Sequence, residues 1–211
     1  MTKIYLKKGR EESVLRFHPW VFSGAVARIE GPVSEGDVVA VHASDGNYLA
    51  AGHYQIGSIA VRILSFDRNP VSPSFWKDAL EGALQVRRAT GLYTDDESGG
   101  TNCFRLVHGE GDALPGLVVD WYDGVCVMQA HSVGMFRARK QICQALKDVF
   151  GDRLKAVYDK SSGTAPFKAG LELVDGYIYK ADGFEEGEST VLEGGHRFLV
   201  NWAEGQKTGF F

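Results

Sequence analysis

The chain has 211 residues, of which 44% are hydrophobic and 24% charged, and its formal net charge is -4 at pH 7. This length accommodates one large or two modest domains with a buried core. No apolar run approaches the ~20 residues that cross a bilayer, and the first ten residues lack the apolar core of a signal peptide. We therefore expect a cytoplasmic globular protein and exclude a membrane-spanning helix.

The three cysteines, Cys103, Cys126 and Cys143, are far apart in sequence. Their odd number and wide spacing indicate neither a disulfide framework nor a zinc site, which fits a reducing compartment. Cys126 lies in a strand-like run and Cys143 in a helical pattern, so both are expected to be buried. Cys103 lies in the loop-like stretch TNCF and is the cysteine to test for reactivity. The six histidines show no metal-ligand spacing, and we predict no metal.

Positive charge is concentrated in the first 28 residues, which contain six Lys and Arg against two Glu. Such asymmetry indicates a polyanionic partner, because Lys and Arg that neutralise phosphates release condensed counterions. Arg16, His18 and Trp20 fall at every second position. On an extended strand they would share one face, where they could hold a phosphate and stack a base.

A structural alternative exists for the same residues. Aromatic side chains at a period of two often belong to a core, so Trp20 and Phe22 could fill a small barrel while the charges are ordinary solvated surface. His18 precedes Pro19, which holds its backbone extended, and it could be a hydrogen-bonded structural residue.

Residues 3 to 66 read as short strands without a long helix. The dipeptide Asp45-Gly46 predicts a tight hairpin between Gly36–Ala43 and Tyr48–Tyr54. Several short strands separated by turns indicate a small closed barrel or a sandwich. Residues 67 to 74 have the composition of a linker.

The middle of the chain reads as a helix, three strands, a second helix and a strand. Ser72 followed by Pro73 could cap and start the first helix, in which side chains recur three or four positions apart: Trp76, Ala79, Leu80, Ala83 and Arg87. A loop is expected at 94–102. Strands are predicted at Phe104–His108, Leu117–Tyr122 and Val125–Ala130, the last two joined by a turn at Asp123-Gly124. An amphipathic helix then ends near Gly151, and a strand resumes at 156–158.

The segment from Gly170 onwards carries eight Asp and Glu against three Lys and Arg, which argues against a phosphate-binding role. Two further strand pairs are predicted, around Asp175-Gly176 and around Glu193-Gly194-Gly195. The chain finishes on Phe210-Phe211, and ending a domain on two bare phenylalanines would expose apolar area without gain. We therefore expect it to be truncated.

The stretch GEGD at Gly109–Asp112 does not predict a nucleotide loop. A nucleotide or methyl-donor loop opens a helix whose N-terminus faces the ligand, whereas here Leu114-Pro115-Gly116 leads into another strand. Glu110 and Asp112 could form an acid and base pair, but a role as turn ligands for backbone N–H groups is favoured.

Three motifs follow one another along the chain: KGREESVLRFHPWVFSGAVARIEG at 8–31, RLVHGEGDALPGLVVDWY at 105–122, and GQKTGFF at 205–211. Together they resemble the ribosomal RNA large subunit methyltransferase I family over essentially the whole chain. The resemblance implies a PUA-type RNA-binding barrel, a small α+β domain, and then a Rossmann-like domain that binds S-adenosylmethionine.

Mapped onto this chain, the resemblance implies a mixed β and α+β fold. A PUA-like barrel is expected at 1–69, an α+β middle domain at 74–182, and a β-hairpin at 183–211 leading to the Rossmann-like methyltransferase domain, which we expect to be absent. The complete protein would methylate carbon 5 of a cytosine in 23S ribosomal RNA with S-adenosylmethionine. This chain alone is expected to be its RNA-recognition portion, to be inactive and to bind no cofactor. The alternatives are a stand-alone RNA-binding or assembly adaptor, and a protein-interaction module with Trp20 and Phe22 buried.

Site residues carry over only at matching positions. No catalytic residue is assigned, since none of the three cysteines matches the family's nucleophile, and the loop at 160–171 departs from the family's more basic pattern. The expected RNA contacts are Lys8, Arg10, Arg16, His18 and Trp20, with Lys7 and Arg28 nearby. The positions that match the family's cofactor pocket are Gln206, Lys207, Thr208 and Phe210.

Overall fold

The described part of the chain forms two β-sheet units and a β-hairpin. It is seen in a computed structural model that describes residues 1–67, 72, 74–94, 100–166 and 170–205. The predicted linker at 67–74 and loop at 94–102 fall largely outside these residues.

The first sheet begins near the N-terminus and contains one parallel strand pair. Its strands are β1 (Lys3–Leu6), β2 (Trp20–Phe22), β3 (Val26–Glu30), β4 (Val38–His42), β5 (Tyr48–Tyr54) and β6 (Ile59–Ser65), and one helical turn, α1 (Glu12–Leu15), lies between β1 and β2. The strand order is β2-β6-β5-β4-β1-β3. Neighbours are antiparallel except β1 and β4, which are parallel.

The two edge strands of this sheet are consecutive in the chain, which forces the sheet to curl. β2 ends at Phe22 and β3 begins at Val26. Four Cα steps span at most about 15 Å, whereas the edges of a flat six-stranded sheet lie about 24 Å apart. The sheet therefore bends towards closure. The apolar cluster of this unit consists of Ile4, Leu6, Val14, Val21, Val39, Val41, Ala50, Val61 and Ile63.

The second sheet carries helices on one face and a hairpin on the other. Its strands are β7 (Cys103–His108), β8 (Leu117–Tyr122), β9 (Val125–Ala130), β10 (Ala156–Asp159) and β11 (Gly176–Lys180), in the order β11-β10-β9-β8-β7. The helices α2 (Phe75–Ala89) and α3 (Val133–Phe150) pack against each other and share its larger apolar cluster. The hairpin of β12 (Ser189–Glu193) and β13 (His196–Val200) joins a second cluster with β7, β8, β9 and β10. β9 is consequently buried along its whole length.

Both long helices follow the predicted apolar periodicity. Ser132 begins α3, since its Oγ accepts a hydrogen bond from the Met135 N–H at 3.3 Å, and Gly151 ends it with a φ of 54°, as a C-terminal cap requires. Within the described ranges, neither these helices nor any other is long and apolar enough to cross a membrane.

The strands β9 and β10 are parallel neighbours joined through α3. Parallel neighbours need such a crossover, and β-α-β is the unit from which Rossmann-like sheets are built. The expectation of an α+β domain with the Rossmann-like methyltransferase domain absent is therefore wrong. His131 and the Ser132 cap, and not a glycine-rich loop, precede the helix of this unit.

The predicted hairpins can be compared with the observed strand pairs. Those at Asp45-Gly46, Asp123-Gly124 and Glu193-Gly194-Gly195 are confirmed, since β4–β5, β8–β9 and β12–β13 are antiparallel pairs. The pair expected around Asp175-Gly176 is wrong, because β11 begins at Gly176 and pairs with β10 instead. The segment limits 1–69, 74–182 and 183–211 stay a prediction.

The two sheet units dock at the start of α3 through a glycine. A Cβ placed on Gly134 would lie 2.1 Å from Cγ of His53, whose buried ring stacks on Trp76 with centroids 6.3 Å apart. The neighbouring Val133 N–H donates to Gln55 Oε1 at 3.3 Å. A residue without a side chain is needed here, because any Cβ would collide with a ring that cannot withdraw into solvent.

Candidate nucleic-acid interface

The predicted basic segment, residues 7–28, lies on the surface of the first sheet unit. The side chains of Lys8, Arg10 and Arg16 are exposed. Arg16 pairs with Glu12 at 3.7 Å, but these side chains are 81% and 73% exposed. An ion pair in water is worth little, so Arg16 can exchange it for a phosphate.

Two other cations of the segment already have protein partners. Lys7 Nζ donates to the Gly24 carbonyl at 2.9 Å. Arg28 pairs with Glu30 at 2.8 Å, and its guanidinium lies 3.6 Å from the centre of the Tyr5 ring. The hydrogen bond to Glu30 raises the pKa of Arg28. Both residues are exposed but already bound by the protein, so they are weaker candidates for phosphate binding than Lys8, Arg10 and Arg16.

Arg16, His18 and Trp20 do not share one strand face, contrary to the expectation. Helix α1 ends at Leu15, Arg16 follows as its cap, and Phe17 has a φ of 61°. The strand β2 begins only at Trp20. The chain therefore turns between Arg16 and Trp20. Residues two apart lie on one face only where the backbone is extended, so the spacing of Arg16, His18 and Trp20 does not align their side chains.

Three rings nevertheless form one aromatic group at this end of the sheet. The centroid of His18 lies 5.8 Å from that of Trp20 and 6.1 Å from that of Phe22, and the latter two are 6.2 Å apart. Phe22 is 48% exposed, whereas Val21 is 2% exposed, and Trp20 is half-buried. The alternative in which Trp20 and Phe22 fill the core is therefore wrong. The rings offer faces on which bases can stack.

Glu110 makes a contact with Trp20 that the sequence reasoning missed. Trp20 Nε1 donates to Glu110 Oε1 at 2.9 Å, across 90 positions of sequence. Glu110 lies in a single 3₁₀ turn, Gly109–Asp112, between β7 and β8. No local pattern could reveal this contact, because it depends on how the two sheet units dock.

The turn that carries Glu110 is held by a buried ion pair. Asp112 Oδ2 accepts hydrogen bonds from the His108 N–H at 2.6 Å and from Arg87 Nη2 at 2.9 Å, and the side chains of Asp112 and Arg87 are 6% and 11% exposed. Asp112 thus serves as the predicted ligand of a backbone N–H. The turn leads into β8 and not into a helix, which confirms that it is not a nucleotide loop.

A cleft of about 270 Å³ lies between the two sheet units, next to this turn. We call it the junction cleft. Arg62 of β6, His108, Glu110 and His131 supply its ionisable side chains. Arg62 donates to Gln55 Oε1 at 3.2 Å. Burial lowers the pKa of Arg62 and of His131. Sequence reasoning missed this site because its members come from distant elements.

The cysteines offer no reactive thiol. Cys103 begins β7 and is 2% exposed, so its expected loop position is wrong. Its Sγ donates to the Leu192 carbonyl at 3.1 Å, and burial raises its pKa to about 12. Cys126 and Cys143 are buried, as predicted, and burial raises the pKa of both. Across the described ranges, no group of three or more His, Cys, Asp or Glu side chains could hold a metal ion.

Four predicted cofactor contacts lie outside the described residues: Gln206, Lys207, Thr208 and Phe210. The preceding stretch is anchored by one lysine. Lys160 Nζ donates to the carbonyls of Trp202, Ala203 and Gly205 at 2.6, 3.2 and 2.7 Å, and burial lowers its pKa. Lys160 therefore fixes the chain after β13 and is not a free cation for RNA.

The chain matches one protein-family model and is similar to several known proteins. A family model described as a PUA-like domain matches residues 4–66, which include the basic segment and confirm the PUA-like unit. Proteins named ribosomal RNA large subunit methyltransferase I are 36% identical over 211 residues in Klebsiella pneumoniae and 35% over 212 in Pseudoalteromonas translucida. These matches cover 99% and 100% of this chain. The chain is similar to these proteins over essentially its whole length. It spans about half the length of these relatives, 50% and 51% respectively.

Two solved structures share the fold. A candidate SAM-dependent methyltransferase from Streptococcus mutans has a TM-score of 0.77 and 17% identity, and the match covers 100% of this chain and 51% of that one. A candidate methyltransferase complexed with SAH has a TM-score of 0.78 and 17% identity, with 100% and 50% covered. At this identity, the likeness concerns the fold alone.

These matches correct three expectations. Methyltransferase structures match the whole chain, so the second sheet unit belongs to their architecture, and the expectation that the Rossmann-like methyltransferase domain is absent is wrong. The same matches, with those of the curated relatives, overturn the expectation of an inactive RNA-recognition portion and the adaptor alternative. The expectation that this chain binds no S-adenosylmethionine conflicts with the structure complexed with SAH.

Proposed function

We propose that this chain works in the S-adenosylmethionine-dependent methylation of ribosomal RNA, and that its basic segment binds the RNA. The observation that carries the proposal is the 35–36% identity to ribosomal RNA large subunit methyltransferase I proteins over 99–100% of the chain. The exposed cations and rings of residues 7–28 support it, because RNA binding needs both phosphate contacts and stacking faces.

The RNA is proposed to lie along the basic segment. Lys8, Arg10 and Arg16 would neutralise phosphates, while the aromatic group receives unstacked bases. A cavity of about 380 Å³ beside them is lined in part by Arg10 and Phe22, which places a cation and a ring around one space. The acidic balance of the chain from Gly170 onwards favours the basic segment over that part of the chain.

The target is proposed to be carbon 5 of a cytosine in 23S ribosomal RNA, as the family resemblance implies. Methyl transfer to that carbon needs a nucleophile that first adds to the ring and makes carbon 5 nucleophilic toward the methyl group of the donor. A base then removes the proton from carbon 5, and the nucleophile is released. The three thiols of this chain are buried and their pKa values are raised, so each is poorly suited to the role. We therefore assign none of them as the nucleophile.

S-adenosylmethionine would supply an electrophilic methyl group. We propose that the residues contacting it include Gln206, Lys207, Thr208 and Phe210. Among the described residues, the turn Gly109–Asp112 leads into a strand and the N-terminus of α3 is capped by Ser132. Neither element offers the loop that a methyl donor needs.

The proposal is tested by following labelled methyl groups from S-adenosylmethionine into 23S ribosomal RNA. The parent protein should transfer them. A Lys8→Ala/Arg16→Ala variant should show a higher KM for RNA with kcat little changed, because phosphate contacts bind substrate and transition state alike. Lys77→Ala, which removes one partly exposed cation from α2, is a control outside the basic segment and should behave as the parent. A parent that transfers no methyl group to the RNA contradicts the proposal.

A further inference from the structure

The junction cleft combines opposite charges on its walls. Arg62 contributes a guanidinium and Glu110 a carboxylate, and the negative charge of Glu110 opposes the lowering of the Arg62 pKa that burial causes. Glu110 would repel a phosphate that entered the cleft, and Arg62 would repel a cation. The cleft is therefore matched to a neutral ligand that presents both donors and acceptors.

Both charged groups have hydrogen-bonding capacity to spare. In the part of the chain that the structure describes, Arg62 uses one of its five N–H donors, on Gln55. Glu110 Oε1 accepts from Trp20, while a carboxylate offers about four lone-pair sites. His131 adds an imidazole whose pKa is lowered by burial, so at neutral pH its ring can both donate and accept.

We propose that the junction cleft binds a single unstacked guanine base. Among the four RNA bases, guanine alone presents two adjacent N–H donors, N1–H and the 2-amino group, which suit a carboxylate. Its neighbouring O6 and N7 are two acceptors, which suit a guanidinium. The volume of about 270 Å³ lies just below the ~300–1,000 Å³ of typical ligand pockets, so it admits one base more readily than a longer fragment.

The cleft is continuous with the surface proposed to bind RNA. Trp20 belongs to the aromatic group and donates to Glu110, and it is the register partner of Arg62 across the β2–β6 pair. A strand of RNA stacked on the aromatic group would therefore have its next base at the mouth of the cleft. The inference rests on the proposed function and deepens it by naming a base that the protein reads.

The test compares short single-stranded RNAs that hold one guanosine, one inosine or no purine in a uridine background. Inosine lacks the 2-amino group and so removes one donor to Glu110. The parent chain should bind the guanosine RNA about 5- to 150-fold more tightly than the inosine RNA, the range expected of one bidentate base contact. GMP serves as a separate probe. If GMP binds saturably and Glu110→Gln abolishes that binding, the cleft takes a free nucleotide. If the guanosine RNA binds but GMP does not, the cleft takes a base of RNA.

The decisive variant is Glu110→Gln, which keeps an oxygen for Trp20 but replaces one acceptor by a donor. It should abolish the preference for guanosine over inosine. Glu188→Gln, an exposed carboxylate between β11 and β12, removes the same charge elsewhere and should keep the preference. Thermal unfolding verifies that both variants fold. Equal binding of guanosine and inosine RNAs by the parent, or an intact preference in Glu110→Gln, overturns the inference. Failure to bind any RNA would instead defeat the proposed function, and GMP binding would still report on the cleft.

Discussion

The ion pair between Arg87 and Asp112 stabilises the turn that carries Glu110. The substitution Asp112→Ala removes this ion pair. The substitution leaves the Arg87 guanidinium, 11% exposed, without its counterion. It also leaves the His108 N–H without its 2.6 Å acceptor. We expect the turn to loosen and the whole chain to lose stability.

The expected loss can be estimated from the geometry. Removing one partner of a buried pair costs about 3–5 kcal/mol, because an uncompensated charge stays in the interior. Arg87 keeps hydrogen bonds to the carbonyls of Ala83 and Arg105, so the lower end, about 3 kcal/mol, is expected. The pair of Lys180 and Glu186 is similar in chemistry, but its side chains are 46% and 55% exposed. Glu186→Ala should therefore cost much less than Asp112→Ala, because water already screens this pair.

Urea unfolding of the parent, Asp112→Ala and Glu186→Ala measures both losses as shifts in the free energy of unfolding. A further Arg87→Met substitution in the Asp112→Ala protein should regain part of the lost stability, because it removes the stranded charge. The reasoning is refuted if Asp112→Ala costs no more than Glu186→Ala, or if Arg87→Met lowers stability further.

Two further predictions concern the contact between the sheet units. Gly134→Ala should destabilise the chain by about 1–3 kcal/mol, because the new Cβ would lie 2.1 Å from the His53 ring. Gly82→Ala, in α2 with no neighbouring atom within 4 Å, should stabilise it by about 1 kcal/mol. Thermal unfolding compares the two, and equal midpoints would contradict the docking described here. The second prediction concerns pH. Burial, and then the charge of Arg62, lower the pKa of His53 to about 4, whereas an unfolded histidine titrates near ~6.5. The unfolded state thus binds more protons between these values, so stability should fall by about 3 kcal/mol as the pH drops from about 6.5 to about 4. Urea midpoints at several pH values should show a shallower decline in His53→Gln, and an identical decline would contradict the assignment.

Local patterns in the sequence predicted much of the secondary structure. The turn at Asp123-Gly124 was predicted because an Asp-Gly dipeptide tolerates positive φ angles. In the structure the two residues have φ angles of 46° and 96°. The period of 3.6 located α2 and α3, because each helix buries one apolar stripe. These features depend on residues close in sequence, which is why a single chain reveals them.

Features that depend on distant residues were missed. The parallel pairing of β9 with β10 and the bond between Trp20 and Glu110 join segments that no periodicity relates. The spacing of two between Arg16, His18 and Trp20 wrongly predicted a shared strand face, because a positive φ at Phe17 turns the chain there. The basic segment itself was found from charge alone, since charge asymmetry needs no knowledge of the fold. The sequence did not show that Lys7 and Arg28 are bound by other groups of the protein, because their partners are seen only in the folded structure.

The most direct test of the account is the salt dependence of binding between this chain and a 23S ribosomal RNA fragment. The logarithm of the association constant should fall linearly with the logarithm of the salt concentration. Because each phosphate contact contributes about 0.7–0.9 to the slope, Lys8→Ala/Arg16→Ala should flatten it by roughly 1.4–1.8, while Lys77→Ala should leave it unchanged. An RNA that stays unbound even at low salt, or a slope that the double variant shares with the parent, would contradict the claim that this basic segment holds RNA.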